Sequence, residues 1–431
     1  MAALRIVYLT AGAGGMYCGS CLHDNDVAKT LMRKGHEAIL IPLYTPIRTD
    51  QDNASEDLLF YGGISVYLQQ LSPIFRWFPK RLDKWLNSPK LVGWFAARAA
   101  ATSAKKLGAL TVSMLDGEDG KQSKEVRRLC QWLRHVEPEA IVFSNLLIAG
   151  CITTIENSLP GAQLIVMLQG DDIFYESLPE PFRSQALERM QLIARSVDVF
   201  LLHSEDYRNR MSQLLNVSLE RMKVVPLSID AKDLLNIKRN PSTSRPPTVG
   251  YLARIAPEKG LHLLVDAFIQ LKCQGHIPTA KLQIAGWLGK QHHAYWSKLK
   301  SKLDAAKLQD DYKFWGTIDR KQKIEFLSEI DVLSVPTTYR EPKGLFALEA
   351  MAAGVPYLLP DHGAFPEMHA KAQAGRLHSA DSVDDLASAL REMLDDVQGT
   401  RQYSEKCRSY IRQHATSEIE ASAVLKAIAL E

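Results

Sequence analysis

The sequence predicts an α/β fold built as two Rossmann-like, doubly wound domains, and three observations predict it. Short apolar runs alternate with helical patterns along both halves of the chain. A polar, proline-rich stretch, NIKRNPSTSRPPT (Asn236 to Thr248), separates the halves and reads as a linker. The chain has 431 residues, 46% of them hydrophobic, which is enough for two cores.

In the first half, strands are expected at Leu4–Thr10, Glu37–Tyr44, Ala140–Ser144, Gln163–Gln169, Val197–His203 and Lys223–Leu227, with a helix near His23–Arg33. In the second half, Val249 to Leu252 is an apolar run followed by Leu261, Leu264, Val265 and Phe268 at helical spacing. DVLSVPT (Asp331 to Thr337) is short and Val-rich, as in a buried parallel strand. LFALEAMAA then carries strong helix formers with Leu345, Leu348 and Met351 on one face; Gly354 closes it and Pro356 follows. The last segment, near Arg401 to Glu431, is helical in pattern. The expected domains are 1–235, a linker at 236–247, 248–410, and a C-terminal helix at 411–431.

Composition narrows the function. A formal net charge of +3 is too mild to argue for nucleic acid as a partner. Met1 to Thr10 runs straight into a strand with no signal pattern, and the longest apolar stretch, Ala140 to Ile155, is interrupted by Ser144 and Asn145. It falls short of the roughly 18 residues that suggest a membrane span. A cytoplasmic location is expected, with the inner face of a membrane as a variant. That variant rests on residues 61–109, where Tyr67, Phe75, Trp77, Phe78, Trp85, Trp94 and Phe95 mix with Arg76, Lys80, Arg81, Lys84, Lys90 and Arg98. Such a mixture suits peripheral contact with a membrane surface or a lipid-linked acceptor, or helices packing on the first sheet with their cations solvated. Six cysteines imply no disulfide scaffold. Cys18 and Cys21 form C-G-S-C after the first strand, a spacing open to a redox centre or to small residues in a tight loop. A zinc site there would need ligands beyond the nearby His23.

The chemistry concentrates in REPKGLFALEAMAAGVP (Arg340 to Pro356). Glu341 lies in the loop at a strand's carboxyl end, and Glu349 one to two turns into the following helix. Gly344 leaves the amides of the helix start uncovered, an anion site. Carboxylates accept from hydroxyl pairs and amides take phosphate, so the arrangement fits a sugar nucleotide. A surface connection whose glutamates are solvated or cap the helix is the alternative. About eighty residues earlier, TVGYLARIAPEKGLHLLVDAF places Arg254 and Lys259 at the carboxyl edge of a sheet, where doubly wound domains bind ligands. Two cations there can neutralise a diphosphate.

With these residues in view, the chain resembles the retaining glycosyltransferases of family four, which have the two-domain GT-B fold. The matching signatures are ARIAPEKG (Ala253 to Gly260), LQIAG (Leu282 to Gly286), FWGTID (Phe314 to Asp319) and EPKGLFALEAMAAGVP (Glu341 to Pro356), with a weaker match over Thr10 to Ile41. The resemblance implies two domains facing each other across a cleft, with the C-terminal helix crossing back to the first. It implies that Arg254 and Lys259 hold the donor diphosphate, and that Glu341 and the Gly344–Leu345 backbone touch the donor sugar. Glu349 would hold the ribose hydroxyls and the loop around Phe314 to Thr317 would meet the base. The glycine loop of Gly12 to Gly15, with Gly14 and Gly15 in it, would face donor phosphate or acceptor. Two departures stand out: Gln169 occupies the place where many relatives have a His facing the donor sugar, and Lys343 replaces a usual aromatic or small residue.

The expected reaction is transfer of a sugar from a nucleotide diphosphate sugar to an acceptor hydroxyl with retention, the acceptor being a sugar, a polysaccharide or lipid-linked. Glu341, Arg254 and Lys259 are the candidate catalytic residues, with Gln169 and Asp171 as candidate acceptor or sugar contacts. The two cations and the helix-start amides would stabilise the leaving diphosphate, so no metal or other cofactor is expected beyond the nucleotide-sugar co-substrate. Asp171–Asp172 can also be read as a metal-binding pair, with acceptor binding or helix capping preferred. Rival readings are a sugar-nucleotide epimerase of similar fold and a non-catalytic sugar-nucleotide or glycan-binding protein. A nicotinamide-dependent dehydrogenase is disfavoured because Gly12-Ala-Gly14-Gly15 lacks the full dinucleotide spacing.

Overall fold

The computed structural model describes residues 3–12, 19–47, 52–56, 58–61, 104–238 and 245–428. Gly14, Gly15, Cys18, residues 62–103 of the aromatic and basic segment, and residues 239–244 of the expected linker lie outside the described residues. Among those described are two six-stranded sheets.

The first sheet contains β1 (Arg5–Thr10), β2 (Glu37–Pro42), β3 (Ala140–Phe143), β4 (Gln163–Met167), β5 (Val199–Leu202) and β6 (Met222–Val224) in the order β2-β1-β3-β4-β5-β6. Every pair is parallel, with Ile6 opposite Ala38 on one side and Ala140 on the other. Strands buried on both faces explain the continuous apolar runs seen in the sequence. Alternation still shows in which core each residue joins. Val7, Leu9, Ile141, Phe143, Leu164 and Val166 enter one cluster. Ile6, Tyr8, Ala140, Val142, Ile165 and Met167 enter the cluster on the opposite face, together with Ala421, Val424, Leu425 and Ile428 of the last helix, Ser417–Ile428. Burying a Val, Leu or Ile side chain contributes roughly 1.5–3 kcal/mol, and an Ala methyl less. These four therefore hold the chain's end firmly on the first sheet.

The second sheet contains β7 (Thr248–Leu252), β8 (Lys281–Ala285), β9 (Tyr312–Gly316), β10 (Val332–Ser334), β11 (Tyr357–Pro360) and β12 (Gly375–His378), again all parallel, in the order β12-β11-β10-β7-β8-β9. Strand order reverses between β7 and β10, which is the switch point where such sheets bind ligands at the carboxyl ends of their strands. The corresponding place in the first sheet is between β1 and β3.

By its internal contacts the chain divides into one unit of Met1–His203, Tyr207–Val225 and Glu420–Glu431, and a second of Ser204–Asp206 and Pro226–Ile419. The division falls about ten residues before the expected end of the first domain. Ile229, Ala231, Leu234 and Ile237 are the reason, since all four are buried in the second core. Arg245, at the far side of the expected linker, is also tied to the second unit, donating 2.9 Å hydrogen bonds to Asp331 Oδ2 and the Glu329 carbonyl. The C-terminal helical pattern is broken in two: Val397–His414 ends before Thr416, which pairs with Ile229, and Ser417–Ile428 follows. Among the described residues no helix is long and apolar enough to cross a membrane.

Candidate active site

The site is built by two loops of the second unit, one leaving β7 and one leaving β10, neighbours at the switch point. The Thr338 amide donates to the Glu258 carbonyl at 3.0 Å, stitching the loops together. Beneath them Tyr251, fully buried on β7, donates its hydroxyl hydrogen to the Arg254 carbonyl at 3.0 Å. Gly260 has φ +71°, and a Cβ there would lie 1.6 Å from the Pro336 carbonyl oxygen. Only glycine permits this approach, which brings Lys259 toward the β10 loop.

Lys259 Nζ stands 2.6 Å from Glu341 Oε2, and the two side chains are 12% and 7% exposed. Lys259 also donates to the Tyr339 hydroxyl, which in turn donates to Glu341 Oε2. The ammonium lies 4.9 Å from the Tyr339 ring centroid and 5.6 Å from that of Phe346, within cation–π range. Burial acts to raise the Glu341 carboxyl, but the Lys259 charge, hydrogen bonds from Lys259 and Tyr339, and the Lys343 charge outweigh it and hold the group below its usual range. Burial and the same carboxylate drive the Tyr339 hydroxyl well above its ordinary value, so it remains a donor.

Glu341 also touches the helix start. Gly344 precedes the helix Leu345–Ala352 with φ +83° and ψ 41°, and its amide lies 3.4 Å from Glu341 Oε1. A Cβ on Gly344 would fall 2.7 Å from Phe365 Cε1. One carboxylate thus reaches a lysine, a phenol and the amide end of a helix, where anions are favoured.

The remaining candidates separate by environment. Glu349 sits further along the same helix and receives Lys323 Nζ at 2.7 Å, a second half-buried lysine–glutamate pair. Arg254 is exposed, and its contact is the Glu258 carboxylate at 3.4 Å on the same loop. Phe314 lies within β9 rather than in the loop after it, and its ring stacks on Trp296 with centroids 4.5 Å apart. The carboxyl end of that strand is reached only at Gly316 and Thr317. Leu345 is the first residue of the Leu345–Ala352 helix and half-buried.

In the first unit, Gln169 follows β4 and donates its side-chain amide to Asp24 Oδ1 and the Ser144 carbonyl, each at 3.0 Å. Asp24 also accepts from Thr10 Oγ1 at 2.8 Å. Asp171 is buried with one carboxylate oxygen on the Leu146 amide at 2.5 Å and the other on the Gln169 amide at 2.9 Å. It braces the backbone, and burial pushes its carboxyl up to about 6 against the opposing pull of those amides. Asp172 pairs with Arg210. The two aspartates therefore point to different partners, Asp171 to backbone amides and Asp172 to Arg210. Gly12 stands after β1 with φ +87°, and Cys21 is buried beside Thr10.

Sequence reasoning missed Tyr339 and Lys323. Tyr339 stands two residues before Glu341, and its position in the strand-end loop could have drawn attention to it. Lys323 sits in a charged run, RKQK, that reads as an ordinary solvated helix face.

The second unit is thus a doubly wound domain with a charged, amide-lined cluster at the switch point of its sheet, the place where such sheets bind ligands. The glycosyl transferases group 1 family matches residues 234–414. That match covers the second unit's sheet and both loops of the site, and the two parallel α/β sheets are those of a GT-B-like fold. It is 29% identical over 237 residues to a glycogen synthase of Mycobacterium tuberculosis, a match covering 55% of this chain and 54% of that protein. It is 30% identical over 176 residues to a lipopolysaccharide core biosynthesis mannosyltransferase of Rhizobium leguminosarum, covering 41% and 49%. The chain spans about half the length of the curated relatives it matches. Among solved structures, the HepE protein of Anabaena in complex with UDP aligns over 99% of both chains with a TM-score of 0.69 at 19% identity.

Proposed function

We propose that this protein transfers a sugar from a nucleotide diphosphate sugar to a hydroxyl of a sugar, polysaccharide or lipid-linked acceptor, with retention at the anomeric carbon. The observation that carries the reading is the buried Lys259–Glu341–Tyr339 cluster against the start of the Leu345–Ala352 helix, at the switch point of the second sheet. The HepE protein of similar fold, described with UDP and with UDP and glucose, supports a nucleoside diphosphate donor.

In this reading the donor diphosphate takes the amides at Gly344 and Leu345 and the charges of Lys259 and Arg254. These groups neutralise the charge that grows on the leaving diphosphate as the glycosidic bond breaks. Lys259 exchanges part of its contact with Glu341 for phosphate, and Glu341 then accepts from a donor-sugar hydroxyl. Glu349 serves the ribose hydroxyls alongside Lys323, and the base lies near Gly316 and Thr317. Glu341 orients the donor and does not attack it. A carboxylate whose Oε2 already accepts from an ammonium and a phenol is a poor nucleophile. A donor phosphate oxygen takes the acceptor's proton on the face where the bond breaks, which accounts for retention.

The test is product analysis. The purified protein is incubated with a nucleotide sugar and an acceptor panel, and nucleoside diphosphate release and the anomeric configuration of the product are followed by NMR. Acceptor-dependent release with retained configuration is expected. Conversion of the donor sugar without any acceptor would establish the epimerase instead, and binding without turnover across the panel would establish a binding protein.

A further inference from the structure

Away from the donor site, we propose that the first unit holds a structural divalent transition-metal ion, of the zinc class, between His23, His203 and Glu420. The three come from segments far apart in the chain: the helix Gly19–Arg33, the residue following β5, and the last helix. One ligand atom from each lies within 4.8 Å of the other two. His23 Nε2 is 2.8 Å from the Glu420 carboxylate, His203 Nε2 is 3.9 Å from it, and no side chain of the three is more than 1% exposed. Ligands each about 2.0–2.2 Å from a tetrahedral ion sit roughly 3–3.6 Å apart, so the cluster needs a contraction of about 1 Å at its widest.

The hydrogen bonding favours a cation here. His203 Nδ1 lies 3.2 Å from the Val225 carbonyl. A carbonyl only accepts, so Nδ1 carries the proton and Nε2 of the neutral ring turns its lone pair toward Glu420. An imidazole fixed through Nδ1–H by a backbone carbonyl is the usual outer support of a metal-bound histidine. Glu420 is fully buried, and a second buried carboxylate, Asp24, lies 3.9 Å from His23 Nδ1, so the surroundings of the three ligand atoms favour a cation. Two imidazole nitrogens and one carboxylate suit a first-row ion such as Zn²⁺ better than Mg²⁺ or Ca²⁺.

The ion would fasten the last helix where Ala421, Val424, Leu425 and Ile428 already pack with Ile6, Tyr8 and Val27. Because its ligands are buried, it loads as the chain folds. The test is refolding of the full chain with one equivalent of Co²⁺, followed by the visible d–d spectrum and metal analysis after gel filtration. One cobalt per chain with the intensity of a four- or five-coordinate site is expected, replaceable by Zn²⁺ on refolding and accompanied by a higher Tm than in chelator. Glu420→Gln and His203→Ala, each checked by circular dichroism, should bind at least ~100-fold more weakly. Wild-type protein with no cobalt band and the same Tm in Zn²⁺ and chelator would overturn the proposal and leave a hydrogen-bonded His–Glu–His cluster. A band that persists unchanged in His203→Ala would equally overturn this ligand assignment.

Discussion

The carboxyl edges of the two sheets make an instructive contrast. Both are switch-point edges of parallel sheets, and both gather polar side chains. At the second sheet, unlike charges meet in short bonds, Lys259 to Glu341 between neighbouring loops and Lys323 to Glu349 between two helices, with an exposed Arg254 at the rim. At the first sheet, Thr10, Asp24, Ser144 and Gln169 join in a buried network, with Asp171 bracing the Gln169 and Leu146 amides. In the proposed function the second edge exchanges these contacts for a charged ligand, each charge having a partner of similar strength to trade. The first edge is satisfied internally and is built for fixed geometry.

The sharpest way to break this contrast is to remove one member of the buried pair. Lys259→Ala leaves the Glu341 carboxylate buried without the ammonium 2.6 Å away, and it should cost about 3–5 kcal/mol in chemical denaturation. Glu341→Ala should reduce kcat/KM by roughly 10²–10³-fold if the carboxylate orients the donor. A double-mutant cycle over these two residues should show coupling well above additivity, and additive losses would mean that the pair does not act as a unit.

Gly260→Ala comes next. The forced approach to Pro336 and the positive φ predict a loss of more than about 1 kcal/mol, with a rise in donor Kd as Lys259 is displaced. A variant with unchanged stability and Kd would show that the loop tolerates a different path.

The first edge is probed by pH. Asp171 titrates at about 6 in the folded chain against an ordinary value of 3.8. Its folded pKa is raised, so its stabilising contribution is full below about pH 4 and is lost as pH rises through about 6. Denaturation midpoints should therefore fall across that window by the equivalent of about 2–3 kcal/mol. Asp171→Asn should flatten the slope, and an unchanged slope would assign it to another group.

Arg254→Ala should have the smallest effect on stability, within about 0.5 kcal/mol, because its pairing with Glu258 is exposed. Donor affinity should nonetheless fall, by roughly tenfold if one charge-assisted phosphate contact is lost. Unchanged affinity would place the diphosphate away from this loop.

The same contrast explains what was legible in the sequence. The strands of the first sheet, and β7 and β10 of the second, could be read because each is a short apolar run bounded by turn residues, whereas β9 (YKFWG) and β12 (GRLH) mix polar residues into the strand; the residues that meet at β7 and β10 could be read because they sit within contiguous stretches. Lys323 could not, since a lysine in a charged helical run has no local mark of being turned inward. The network of the first edge draws on positions 10, 24, 144 and 169, and the His23–His203–Glu420 cluster on positions nearly 400 apart. Their convergence depends on tertiary packing that no window of sequence contains. The domain boundary was blurred for a related reason: Ile229, Ala231 and Leu234 look like the tail of the first half and Ile237 like linker, but all four are tied into the second core.

In the proposed function the switch point of the second sheet binds a nucleotide diphosphate sugar through Lys259, Arg254 and Glu341. Calorimetric titration of UDP-, GDP- and ADP-sugars into wild-type protein and the Arg254→Ala/Lys259→Ala variant tests it most directly. Selective binding of one nucleotide sugar by the wild type, lost in the folded double variant, is expected. Equal affinity in both proteins, or no binding of any nucleotide sugar by the wild type, would contradict it.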